Sequence, residues 1–82
     1  MSLEALRAQL DDVDAQLIET LARRAAVVEE IWRWKQAHAV PRLDERREAQ
    51  VRARLLAQAE ALGLQRDAVS AILERVIGVA LR

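Results

Sequence analysis

Six ionisable side chains carry the chemistry this 82-residue sequence could do: Arg7, Arg24, Lys35, Asp44, Arg47 and Glu48. Arg24 falls where a run of leucines at helical spacing calls for another leucine. A cation there needs an anionic partner, a ligand or water, because an unpaired buried charge is costly. Lys35 follows eleven residues later, about three helical turns, so it shares roughly the same face. Arg47 stands four residues before Val51 and eight before Leu55, which turns it toward the apolar side of its helix, with Asp44 and Glu48 one turn apart beside it. Arg7 lies next to the leucine stripe. Together they suggest a pocket walled by aliphatic side chains and furnished with fixed cations, suited to a small dicarboxylate. The sequence offers no cysteine, no serine–histidine pair and no metal-binding set. Chemistry in such a pocket would rest on orientation and electrostatics, not on a covalent intermediate.

Each residue also has a plain structural reading. Arg7 could be a solvated helix arginine, Arg24 one half of an interhelical ion pair, and Lys35 a snorkelling side chain at a helix end. Asp44 could serve only as a helix cap, and Arg47 with Glu48 only as a helix-start pair. Trp32 and Trp34 point to different sides, one toward a core and the other toward an interface or solvent. His38 reads as a surface residue at the end of a helix.

These residues must be held by helices. From Leu3 to about His38 there is no glycine or proline. Leu3, Leu6, Leu10, Val13, Leu17, Leu21, Val28 and Ile31 recur every three or four places, the period of an α-helix. Residues of high helix propensity dominate the stretch. Such a helix would be about 54 Å long, far beyond the usual globular length. Ser2 can cap its start, without a capping box. Pro41 disfavours helical geometry at Val40 and ends the helix near residues 36–39, with a short loop over 38–43. Asp44 is an N-cap for a second helix through Val51, Leu55, Leu56, Ala59 and Leu62, which Gly63 stops. A third helix begins around residues 65–67, with Val69, Ile72, Leu73, Val76, Ile77, Ala80 and Leu81 as its apolar face. The expected fold is all-α: one domain over residues 1–82, a three-helix chain with a long first helix.

A chain this short buries a limited fraction of its surface alone, and one long helix overhangs two short ones. Dimerisation is the expected solution. Basic and acidic residues number 13 each, and apolar residues make up 52%. The neutral balance and dispersed arginines give no basic stripe for nucleic acid. No run of 18 uncharged apolar residues marks a membrane span. The start lacks a secretory signal pattern and cysteine is absent, so a cytoplasmic setting is expected.

The order of residues resembles the all-helical (AroQ-type) chorismate mutases over essentially the whole chain. The matching pieces are Leu6-Arg7-Ala8-Gln9-Leu10-Asp11-Asp12-Val13-Asp14, then Leu21-Ala22-Arg23-Arg24, then Lys35, then Pro41-Arg42-Leu43-Asp44-Glu45-Arg46-Arg47-Glu48. The resemblance implies an intertwined homodimer with two shared sites. It implies rearrangement of chorismate to prephenate on the shikimate route to phenylalanine and tyrosine, with no cofactor and no metal. Carried over by position, Arg7 would reach into the partner's site and bind one carboxylate, and Arg24 would hold the other. Lys35 would donate to the ether oxygen, with Arg47 supporting the carboxylate side. Asp44 and Glu48 would meet the ring hydroxyl, and Ile31, Val51 and Ile77 would form apolar walls. The family's serine near the end of the third helix falls on Ala80, and its glutamine one turn later falls beyond Arg82. Three alternatives stay open: an isochorismate pyruvate lyase, an amino-deoxychorismate mutase, or a weakly active mutase-like module that depends on a partner enzyme of the same pathway.

Overall fold

A computed structural model of the chain describes residues 2–77. Three helices follow one another: α1 (Leu3–Ala37), α2 (Glu45–Ala61) and α3 (Arg66–Ile77). Each expected element is present, and the boundaries agree to within a residue or two. Ala80 lies outside the described residues, as does Leu81.

The helix ends are set by local chemistry. Ser2 Oγ accepts a hydrogen bond from the Ala5 N–H at 3.1 Å, satisfying one of the open donors at the start of α1. Asp44 Oδ1 does the same for the Arg47 N–H at 3.0 Å, and Glu45 and Glu48 complement the positive end of the α2 dipole. Both α1 and α2 close with paired backbone hydrogen bonds of the Schellman type. After α2, Leu64 N–H donates to Ala59 O and Gly63 N–H to Glu60 O, both at 3.0 Å. Gly63 takes φ +79°, a conformation in which a Cβ is unfavourable. After α1, Val40 N–H donates to Lys35 O at 2.8 Å and Ala39 N–H to Gln36 O at 3.4 Å. Here the left-handed position belongs to Ala39, at φ 54°, and not to a glycine.

α2 and α3 form an antiparallel hairpin, and its core is Leu56, Leu73 and Ile77, packed by Val51, Leu55 and Val69. Ala59 is also buried. Arg52 Nε lies 3.1 Å from Glu74 Oε1 and ties the two helices together, although the nitrogen is not aligned for a hydrogen bond. One position of an expected apolar face, Ile72, turns outward, and Leu62, expected inside the second helix, is its exposed C-cap. Leu62 is 72% exposed, and Ile72 faces solvent on the far side of α3 at 60%. Ile72 is three residues before Arg75 and one before the buried Leu73, so the narrow contact with α2 leaves it outside the stripe.

α1 has no buried residue. A half-buried line of Leu21, Arg24, Val28, Trp32 and Lys35 runs down its second half. The steps of three and four make this one helical face, the one that meets the hairpin. The first half has no such contact: Leu3, Leu6, Leu10, Val13, Leu17 and Ile18 are all exposed. The molecule measures 55 × 23 × 18 Å, with a radius of gyration of 16.0 Å. A compact chain of this length would have a radius of about 12 Å. Its accessible surface is 6908 Å², against roughly 5,000 Å² for a compact monomer of this mass.

Candidate active site

A cleft of about 180 Å³ opens where the second half of α1 meets the start of α2 and the end of the described α3. α1 supplies Arg24, Val28, Ile31, Trp32 and Lys35. The connecting loop supplies Arg42 and Asp44, α2 supplies Arg47, Glu48 and Val51, and α3 supplies Ile77. The positions follow from helical spacing. Arg24, Val28 and Lys35 project from one face of α1. Asp44, Arg47, Glu48 and Val51 do so from the first two turns of α2, directly after the cap that fixes its direction.

Eight expected site residues therefore converge on one cleft: Arg24, Ile31, Lys35, Asp44, Arg47, Glu48, Val51 and Ile77. Arg7 does not join them. It sits exposed in the first half of α1, away from its own chain's cleft. Three cleft residues were not among the expected ones: Val28, Trp32 and Arg42. The step from Arg24 through Val28 to Trp32 carries the signal for the first two. Nothing periodic signals Arg42, which arrives by way of a loop.

The charges are unevenly divided. Arg24, Lys35, Arg42 and Arg47 stand against Asp44 and Glu48, a formal excess of two positive charges. Arg24 Nη1 donates to the Val76 carbonyl at 3.1 Å, a neutral helix-end acceptor and not the anionic partner, ligand or water expected for this cation. Lys35 Nζ donates to the Arg42 carbonyl at 3.0 Å. The Arg42 guanidinium lies 3.6 Å from the centre of the Trp32 ring, a cation–π contact. Trp34 points the other way, 57% exposed. Its ring stacks on His38 at 3.9 Å between centroids, with His38 Nδ1 2.7 Å from the Trp34 carbonyl. The two tryptophans do face different sides.

An anion with two negative charges and an apolar body matches this cleft. Cationic forks and a point charge surround it, the carboxylates of Asp44 and Glu48 can accept from a hydroxyl, and Val28, Ile31, Val51 and Ile77 line its walls. Among the lining residues none is a cysteine, serine or histidine, and the four cations offer binding and stabilisation of developing negative charge. Among the described residues no cluster of metal-ligating side chains occurs, and no helix is long and apolar enough to cross a membrane.

Comparison with known proteins agrees with this chemistry. A T-protein of Enterobacter agglomerans is 39% identical over 75 residues, covering 92% of this chain and 20% of the relative. The chain thus spans about a fifth of the length of that curated relative. No solved structure matches the chain. The family model for chorismate mutase type II matches residues 6–82, nearly the whole sequence, and the chain belongs to that family.

Proposed function

We propose that the chain converts chorismate to prephenate, and that it does so as an intertwined homodimer with two shared sites. The observation that carries the first part is the cleft itself, with its excess of two positive charges and Lys35 at its rim. In the rearrangement the ether C–O bond breaks as a C–C bond forms, within one molecule and with no group transferred. Negative charge grows on the ether oxygen. The Lys35 ammonium has three donors. One is used on the Arg42 carbonyl, which leaves the others for that oxygen. A donor that strengthens as charge develops favours the transition state over the ground state. Arg24 and Arg47 grip carboxylate, Asp44 and Glu48 take the ring hydroxyl, and Ile31, Val51 and Ile77 press the enolpyruvyl side chain over the ring. Holding that flexible ether in its compact shape removes an entropic part of the barrier.

The dimer is supported by what the single chain leaves uncovered. The stripe Leu3, Leu6, Leu10, Val13 and Leu17 is exposed along the first half of α1. The surface exceeds that of a compact monomer by roughly 1,900 Å², an area that a large interface would remove. The cleft is also smaller than the roughly 300–1,000 Å³ of ordinary ligand sites, consistent with a site finished by a second chain. In this reading Arg7 from the partner subunit supplies the missing wall.

The test is chorismate consumption by the purified chain, with products separated by chromatography. Prephenate is the expected product. Release of pyruvate and an aromatic acid from isochorismate, supplied in a parallel assay, with chorismate untouched, would replace the mutase reading with the lyase. No turnover by the chain alone, restored by adding a shikimate-pathway enzyme, would replace it with the partner-dependent module.

A further inference from the structure

The loop over residues 38–44 is wrapped around Lys35. The Lys35 main-chain carbonyl accepts from Val40 N–H at 2.8 Å, and its side chain donates to the Arg42 carbonyl at 3.0 Å. A loop carbonyl is a useful anchor only if the loop is itself fixed. Three features fix this one: the hydrogen-bonded turn closing α1, the Asp44 cap opening α2, and the Arg42 guanidinium stacked on the Trp32 indole at 3.6 Å. The stack is made by the side chain of the same residue whose carbonyl holds the ammonium, and Trp32 lies one turn before Lys35 on the same half-buried face.

We infer that Trp32 and Arg42 are positioning residues for Lys35: their stack sets the Arg42 carbonyl, and that carbonyl aims the ammonium into the cleft. The inference rests on the proposed mutase reading for its effect on rate, though not for its effect on geometry. An ammonium on four rotatable bonds samples many positions, and a misplacement of about 1 Å can be costly to a rate. Loosening the stack leaves the charge in the cleft and removes its aim. The consequence falls on kcat more than on KM, because the arginines that grip carboxylate are untouched.

Lys35 is the single lysine of the chain, so its ammonium gives one lysine side-chain signal in a lysine-labelled sample. The experiment records the 1H–15N cross-peak of the Lys35 ammonium and the chorismate kinetics of the full chain in parallel. The variants are Trp32→Leu, Trp32→Phe, Arg42→Ala, Arg42→Lys and the double Trp32→Leu/Arg42→Ala. In the parent protein the carbonyl-bound ammonium is expected to exchange slowly enough at low temperature for its cross-peak to be visible, and a parent ammonium that shows no such protection would itself overturn the inference. Trp32→Leu and Arg42→Ala each broaden it away and lower kcat by about three- to tenfold, the range a single cation–π contact supports. The double variant is no worse than the singles. Trp32→Phe, which keeps a ring, recovers most of both readouts, and Arg42→Lys, which keeps a cation but adds a second lysine signal, is read by kinetics and recovers most of kcat.

A rise in KM for Arg42→Ala with no effect of Trp32→Leu would overturn the inference and make Arg42 a direct ligand of the substrate. An unchanged cross-peak in all variants would overturn it as well. If Trp32→Leu fails to fold, Trp32→Phe and the Arg42 pair still decide the matter. If the parent chain shows no turnover, the mutase reading falls, and the cross-peak still decides whether the stack aims Lys35.

Discussion

The Arg24 guanidinium donates to the Val76 carbonyl at 3.1 Å, across 52 residues of sequence. This bond ties the middle of α1 to the last described turn of α3, at the edge of the cleft. In the proposed function Arg24 then has two tasks, bracing α3 and presenting a cation to an anionic ligand. Arg24→Ala removes both. A hydrogen bond from a charged donor contributes about 1.5–3 kcal/mol, with the lower end expected at this part-buried position. The expected outcome is a loss of about 1–2 kcal/mol in urea denaturation at fixed protein concentration, together with a large rise in KM for chorismate. Arg24→Lys keeps a charge and loses the fork, so it regains stability better than affinity. A variant that binds chorismate normally would remove Arg24 from the site.

Lys35→Ala tests the central charge. Removing one donor aimed at a developing oxyanion costs roughly 100-fold or more in kcat. Lys35 is at the rim of the cleft and not in the α2–α3 core, so circular dichroism should show an unchanged helical fold. Unchanged turnover would exclude Lys35 as the donor to the ether oxygen.

The two helix ends give a matched pair of stability predictions. Gly63 sits at φ +79° with no atom within 4 Å of where a Cβ would be placed. Gly63→Ala therefore meets no clash, only the left-handed penalty, and should destabilise by about 1 kcal/mol. Ala39 already bears that penalty at φ 54°. Ala39→Gly relieves it, and after the extra chain entropy of glycine the gain should be about 0.5–1 kcal/mol. Chemical denaturation of both variants checks the signs, which are opposite for the same kind of turn.

Those turns also mark what the sequence made legible. Asp44 and Gly63 announce themselves because few residues perform a cap or a left-handed stop well, so the local chemistry nearly dictates the position. Arg24 and Lys35 were legible as partners on one face because eleven residues is about three helical turns. Arg42 was not, since its place depends on the path of a loop and on a ring ten residues earlier. Ile72 misled for a related reason. Periodicity identifies an apolar stripe, but the width of that stripe is set by how many neighbours arrive, and in the hairpin α3 meets only α2 closely enough to bury Leu73 and Ile77. Arg7 shows the remaining limit: its cleft, in the proposed dimer, belongs to another chain.

That last point can be tested by mixing two impaired enzymes. Arg7→Ala and Lys35→Ala are each expected to lower turnover by roughly 100-fold or more, since each removes a cation from every site of the proposed homodimer. In a mixed dimer the geometry differs. The chain carrying Arg7→Ala keeps its own Lys35 and receives an intact Arg7 from its partner, so one of the two sites is whole. Random exchange of subunits makes half of the dimers mixed, with one working site each, and about one quarter of the parent activity should return. Unfolding and refolding the two variants together ensures exchange, and sedimentation checks that the product is a dimer. Leu10→Glu places a charge on the exposed first half of α1 and should yield monomers with neither activity nor complementation. Absence of recovery from properly mixed dimers would mean that Arg7 acts in its own chain or not at all. Recovery near one quarter would locate a site residue of one chain in the cleft of the other.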